Sequence, residues 1–442
     1  MQNLRTTLPL GLFDASRAIQ SGKLSAADYL SQCAAIADAL EPSLHAFVSR
    51  MPLKTLLAEL PAKDGVFKGI PIGVKDLVAT RDLPTTNGSA IYVDQMLSHD
   101  APIVTRIRQL GGAVFGKTVT TEFSWRGPGP TVNPCNPLHT PGGSSSGSAA
   151  AVAAGILPLA LGTQTVGSVI RPAAYCGIVG FKASFGAVPR QDVFPFSSSL
   201  DHVGFLTRSV DDAGFAFNLL RNTTTDEHDS IVLPAVTMDQ ESGLAPSAAP
   251  RLAMLKTPFD DRLTDEQKQV MKQTIEKLRA AGAIVEEFSL PDVYWTGIDG
   301  LFCLLESEGG AVHEEHVKLF PERVTQHIKD LVTHGKLRGA MEYLHARNLQ
   351  KKLRAEFTQV LKSYDAILTV PATGAAPEGL SSTGDPVFCA LWSFLGVPAL
   401  TLPVTTNKQG LPLGVQLVAP YRQDATLLRI GKWTESNLKA AH

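Results

Sequence analysis

The chain has 442 residues, 44% of them hydrophobic and 19% charged, with a formal net charge of −2. That balance excludes a wholly disordered or fibrous chain and leaves no global positive field to hold nucleic acid or an anionic membrane. No apolar run approaches the roughly 18 residues of a membrane span, and five scattered cysteines without a Cys-x-x-Cys spacing predict a reducing, cytoplasmic setting with no zinc site.

At the start, Met1-Gln2-Asn3-Leu4-Arg5 precedes an apolar patch broken by Pro9 and Gly11, too short for a secretory leader. Ser25-Ala26-Ala27-Asp28 then opens a helix whose apolar positions Tyr29, Cys33, Ile36 and Leu40 recur at helical spacing. Residues 69–78 form a β-rich apolar segment with Lys75 in its middle. An amine buried there would lose proton affinity and become a base near neutral pH, unless it pairs with Asp76 or reaches solvent. A helix through Ile103, Val104, Ile107 and Leu110 is followed by a strand over 113–118, then by a turn-rich loop over 121–130. Trp125 and Arg126 in that loop are a pocket wall and a second cation, or else surface residues.

Two serine-and-glycine loops follow, one at Gly142-Gly143-Ser144-Ser145-Ser146-Gly147 and one at Thr165-Val166-Gly167-Ser168. Between them lie the alanine-rich stretch 149–154 and the apolar run 156–161, so this is no flexible linker. Loops so placed can face each other and offer hydroxyls and closely approachable N–H groups. Beyond 178–181 and a capped helix start at Ser209, residues 222–250 are rich in Thr, Asp, Ser, Ala and Pro and read as linker-like. A strand over 251–255 and a helix from the capping box Thr264-Asp265-Glu266-Gln267 come next, then a strand over 284–288. Residues 300–362 are mostly helical; strands over 366–370, 399–403 and 414–418 and a last helix from Asp424 complete an α/β pattern.

Three segments carry the chemistry: Gly69-Ile70-Pro71-Ile72-Gly73-Val74-Lys75-Asp76, the glycine-serine-alanine stretch 142–155, and residues 162–177. Together and in that order they resemble the amidase signature family, and residues 410–420 resemble its closing strand. The resemblance spans nearly the whole chain. It implies one domain over 1–442, a mixed twisted central β-sheet covered by helices on both faces, with a catalytic core at about 60–220 and the C-terminal part from 251 in the same fold. It implies Ser168 as nucleophile, Ser144 as a bridging serine after a cis peptide bond, and Lys75 as base. It also implies an oxyanion hole from the backbone of Thr165, Val166, Gly167 and Ser168, with Gly143 and Ser145 beside the substrate. No histidine lies in these motifs, and a serine hydroxyl needs a base to become a nucleophile, which agrees with that assignment.

The chain departs from the family's common Asp-Thr-Gly-Gly-Ser loop, having Gln164-Thr165-Val166-Gly167-Ser168, and a Val166 held at positive φ would be strained. Arg171 falls three residues after Ser168, as in the malonamidase-like branch, where that arginine holds a substrate carboxylate; the alternative is a structural arginine. The resulting expectation is an amidase without cofactor or metal, acting on a small carboxylate-bearing amide. The rivals are a glutaminase subunit of a tRNA-dependent amidotransferase, a hydrolase of urea-derived carboxylates of the biuret or allophanate type, and a catalytically dead binding subunit. The resemblance suggests a homodimer and leaves room for a small accessory subunit. His313-Glu314-Glu315-His316 reads as a solvated helix face rather than a metal site, and Cys176 as a buried small residue.

Overall fold

The computed structural model describes residues 8–439, so the expectation about residues 1–5 lies outside it. The strands are β1 (Phe47–Arg50), β2 (Pro71–Lys75), β3 (Ala113–Thr118), β4 (Leu159–Gln164), β5 (Val179–Lys182), β6 (His202–Thr207), β7 (Met238–Asp239), β8 (Gly243–Leu244), β9 (Arg251–Lys256), β10 (Ile284–Ser289), β11 (Ala366–Thr369), β12 (Ala399–Thr406) and β13 (Pro412–Val418). β7 and β8 form a separate pair; the other eleven make one mixed sheet ordered β1-β3-β2-β4-β6-β5-β12-β13-β11-β9-β10. β2 runs parallel to both β3 and β4, which brings the C-terminal ends of β2 and β4 to the same edge of the layer.

The helices are α1 (Leu12–Gln20), α2 (Ala26–Leu44), α3 (Leu53–Glu59), α4 (Pro102–Gln109), α5 (Ser146–Ala153), α6 (Ile170–Cys176), α7 (Val210–Leu220), α8 (Asp265–Ala280), α9 (Gly297–Leu319), α10 (Gln326–Leu337), α11 (Ala340–Val360), α12 (Val387–Leu395) and α13 (Asp424–Lys439). Strand side chains alternate between faces, and the core divides accordingly. Leu159 and Leu161 of β4, Leu368 of β11 and Leu400 of β12 join one cluster with Val104, Phe217, Leu278 and Leu428, from α4, α7, α8 and α13. Ala160 points the other way, onto Ala149 and Val152 of α5; Ile367 and Ala399 do the same onto Leu304 of α9, Leu353 of α11 and Phe394 of α12. Helices therefore cover both faces.

The capping expectations are met: the Ser25 hydroxyl accepts from Asp28 N at 3.4 Å and that of Thr264 from Gln267 N at 3.3 Å. Within residues 222–250, Ile231, Leu233, Val236 and Leu244 pack into the main core. The halves of the chain share one sheet through the antiparallel pairing of β5 with β12. The solvated-face expectation for residues 313–316 holds for the exposed Glu314 and Glu315 and is corrected for the histidines. His313 is fully buried, 4.5 Å from the Phe123 ring, and burial pushes its pKa down to about 3. Its Nδ1 lies 3.2 Å from Nδ1 of His316, whose Nε2 lies 2.7 Å from the Tyr92 hydroxyl. A large neutral imidazole packs as an aromatic ring, and the polar neighbours Glu314 and Glu315 hid that from the sequence pattern.

Candidate active site

β2 ends on Lys75, which is fully buried, with its amine inside the molecule. Its Nζ lies 2.8 Å from Ser144 Oγ, 2.6 Å from Thr163 Oγ1 and 3.2 Å from Ser124 Oγ. Neither alternative for this lysine holds. It does not reach solvent, and the adjacent Asp76 instead sits 3.5 Å from the equally buried Lys117 of β3. Burial holds the Lys75 amine well below the usual lysine range, and the charge of Asp201 opposes that only in part. A neutral amine has two N–H groups and one lone pair. Thr163 and Ser124 can take the two protons, which leaves the lone pair for the Ser144 hydroxyl.

Ser144 follows a cis peptide bond from Gly143. The loop can turn so tightly into α5 because of the next glycine: a Cβ on Gly147 would meet Ala46 O at 2.1 Å and Val119 N at 2.4 Å. Ser145 and Ser146 hold the loop. The Ser145 hydroxyl lies 3.2 Å from both Thr163 O and Thr163 N, its N–H donates to Ser168 O at 3.3 Å, and the Ser146 hydroxyl donates to Val119 O at 3.2 Å. Ser145 and Gly143 thus lie behind the cavity wall, Gly143 presenting its carbonyl to Arg171.

Ser168 and Ser144 both line a cavity of about 440 Å³. The departure at Gln164 has a clear function in the fold. Its Oε1 accepts from Val169 N at 2.9 Å and Ile170 N at 3.0 Å, capping α6, while its Nε2 donates to Ser393 Oγ at 3.0 Å. Val166 is not among the residues at positive φ, so the strain that a β-branched residue would feel there does not arise. Its carbonyl is taken by the Ser393 hydroxyl at 2.6 Å. Among the described residues, nothing accepts from the N–H groups of Val166, Gly167 and Ser168. Three successive free donors around a serine can form a nest for an anionic oxygen. Thr165 also lines the cavity, its hydroxyl donating to Asp201 Oδ1 at 2.6 Å.

Arg171 of α6 lines the same cavity and is 5% exposed. Its Nη2 donates to Gly143 O at 2.8 Å and Thr383 Oγ1 at 3.0 Å, while Nε and Nη1 are buried without a partner among the described residues. Among those residues no carboxylate pairs with it either; the nearby Asp385 is 3.1 Å from Arg262. Burial accordingly lowers its pKa. Trp125 and Arg126 are both at the cavity. The Trp125 ring stacks 5.3 Å from Phe196 and its Nε1 donates to His327 O at 3.2 Å, with the Arg126 guanidinium 4.9 Å above it. Sequence reasoning did not single out Ser124, Thr163 or Thr383. The first two lay in plain view within the flagged loop and motif, whereas Thr383 carries no local signal.

A serine-lined cavity, a buried amine held well below the usual lysine range one hydroxyl away and a row of free N–H groups are the parts of an acyl-transfer hydrolase. A family model described as Amidase matches residues 28–428, and the chain belongs to that family, the amidase signature enzymes, which act on C–N bonds. A glutamyl-tRNA(Gln) amidotransferase subunit from Halothermothrix orenii is 31% identical over 91% of this chain and 91% of that protein. A crystal structure of an amidase matches with a TM-score of 0.84 at 29% identity, covering 97% of this chain and 99% of that one. A protein complex tied to the origins of an s-triazine catabolic enzyme matches at 0.85 and 25% identity, covering 97% and 98%. No helix among the described residues is long and apolar enough to cross a membrane.

Proposed function

We propose that this chain hydrolyses a small amide carrying a carboxylate to the acid and ammonia, through an ester on Ser168. Ser168 Oγ attacks the carbonyl carbon; its proton moves to Ser144, whose own proton moves to the Lys75 amine. The tetrahedral oxyanion takes hydrogen bonds from the free N–H groups of Val166, Gly167 and Ser168, where one such donor is typically worth about 10²–10³ in rate. On collapse the C–N bond breaks, and the proton returns from Lys75 through Ser144 to the departing nitrogen. Water then attacks the ester along the same proton path, releasing the acid and restoring Ser168. Trp125 and Phe196 serve as an apolar wall, with Arg126 a second cation beside it.

The observation carrying the substrate class is Arg171, a buried cation with two nitrogens unpartnered and no paired carboxylate among the described residues. An uncompensated buried charge is costly, so a substrate carboxylate that neutralises it gains what the empty site forgoes. The test is ammonia release from matched amides with and without a carboxylate. The anionic member should be strongly preferred by the native enzyme, that preference should collapse in Arg171→Ala, and Ser168→Ala should be inert. Equal turnover of the neutral amide, unaffected at Arg171, would reduce the chain to a generalist amidase.

The relative from Halothermothrix orenii supports a narrower reading more directly than the generic one: the glutaminase subunit of a glutamyl-tRNA(Gln) amidotransferase. Glutamine is itself a small amide with a carboxylate, so the same Arg171 serves both. Glutamine hydrolysis that rises only when the remaining amidotransferase subunits and charged tRNA are added would select that reading. Full turnover of another anionic amide by the chain alone would select the free-standing amidase.

A further inference from the structure

We propose that Thr383 is a specificity-determining residue, the second half of the carboxylate site, delivered over Arg171 by residues 381–386. This rests on the reading of Arg171 as the anchor. Residues 381–386 line the cavity that holds Ser168, and Thr383 is the one among them bonded to the arginine.

A threonine hydroxyl has one proton and two lone pairs. Here one lone pair is used, accepting from Arg171 Nη2 at 3.0 Å, and among the described residues nothing takes the proton. The hydroxyl is therefore polarised by a buried guanidinium and keeps an O–H donor for a ligand. A carboxylate uses both: the charge of Arg171 and the Thr383 O–H. An uncharged group of the same size gains far less, because charge-assisted hydrogen bonds are roughly twice as strong as neutral ones.

Two contacts seat the segment independently of that hydrogen bond. From outside, Asp385 Oδ2 lies 3.1 Å from Arg262 Nη1. From inside, the fit depends on Gly143: a Cβ there would meet Thr383 Cγ2 at 2.7 Å. The second glycine of the first serine loop thus makes room for Thr383 and at the same time offers its carbonyl to Arg171 at 2.8 Å. The loop bearing Ser144 and the segment bearing Thr383 both hold Nη2 of the same guanidinium, and the ligand they suit is a short carboxylate at the end of the acyl chain remote from the scissile bond.

The experiment compares kcat/KM for a matched pair of amides, one ending in a carboxylate and one uncharged, in the native enzyme, Thr383→Val, Thr383→Ser and Arg171→Ala. Valine keeps the shape and loses the hydroxyl. The preference for the anionic member should fall roughly tenfold or more in Thr383→Val, mostly through KM, the size expected for a hydrogen bond to a charged group. It should recover in Thr383→Ser. An unchanged preference in Thr383→Val, an equal loss on both amides, or no recovery in Thr383→Ser would overturn the role of Thr383. If the preference collapses in Arg171→Ala but survives in Thr383→Val, this proposal fails while the anchor stands. If the native enzyme shows no preference, the anchor reading fails and takes this one with it.

Discussion

Burial lowers the proton affinity of Lys75, which is what its proposed role as base requires. With no carboxylate among the described residues within ion-pair distance, its amine is surrounded by the hydroxyls of Ser144, Thr163 and Ser124, and desolvation favours the neutral form. In the proposed mechanism the neutral amine is the active species, so kcat/KM should rise as pH rises through the Lys75 pKa and level off well below the range of a free lysine. A pH profile of ammonia release should show that acid limb, and Lys75→Ala should lose roughly 10⁴-fold or more of the activity. A profile still climbing near pH 10 would mean a protonated resting lysine and a different base. The sequence already pointed to this residue, because a lone lysine among Ile and Val has few reasons to be there. It could not distinguish a free amine from one paired to Asp76; the parallel neighbour β3 decided that by placing Lys117 beside the carboxylate.

At the scale of elements, the site depends on how helices are tied to the sheet. Gln164 at the end of β4 caps α6, whose Arg171 lines the same cavity as Val166, Gly167 and Ser168. α1 is tied to α7 by Asp212, whose Oδ1 accepts from Phe13 N at 2.8 Å while Oδ2 is buried without a partner among the described residues. Burial pushes the Asp212 pKa up to about 6. Between its unfolded value, about 4, and that raised one, the folded chain binds more protons at this site than the unfolded chain. The contribution of Asp212 to stability is therefore fully present below that window and lost as pH rises through it. Denaturation of Asp212→Asn beside the native protein checks this: the variant should gain relative stability from about pH 4 to about pH 6. A constant difference across the window would show that Asp212 does not titrate there.

For the whole molecule, the decisive contact is the pairing of β5 with β12, which makes one sheet from the two halves of the chain. The polar stretch over 222–250 is stitched into the same core by Ile231, Leu233, Val236 and Leu244 rather than hanging between domains. A shared sheet and a shared core predict cooperative unfolding. Tryptophan fluorescence, with Trp125 in one half and Trp295, Trp392 and Trp433 in the other, should report the same urea midpoint as far-UV circular dichroism. Two separated transitions would mean that residues up to 220 and residues from 251 unfold as independent units.

The local patterns were sufficient for what local chemistry controls. Capping at Ser25 and Thr264, the strands with bounding glycines, and the three motifs around Lys75, Ser144 and Ser168 are short-range signals, and the structure places Lys75 on β2, Ser144 in the loop leading into α5 and Ser168 in the turn before α6. β6 and α12 are buried almost throughout and so lack the periodicity that marks a half-buried element, as do β3 and β13, which were legible only from their apolar runs. The residues that complete the cavity were out of reach for another reason. Thr383 stands 212 positions from Arg171, and Ser124 lies 49 from Lys75. Sequence marked the groups proposed to carry the chemistry, since each is recognised by its own residue type and near neighbours. Tertiary structure alone decided their partners, because burial and hydrogen-bond geometry arise only when distant strands and loops close on the same few ångströms.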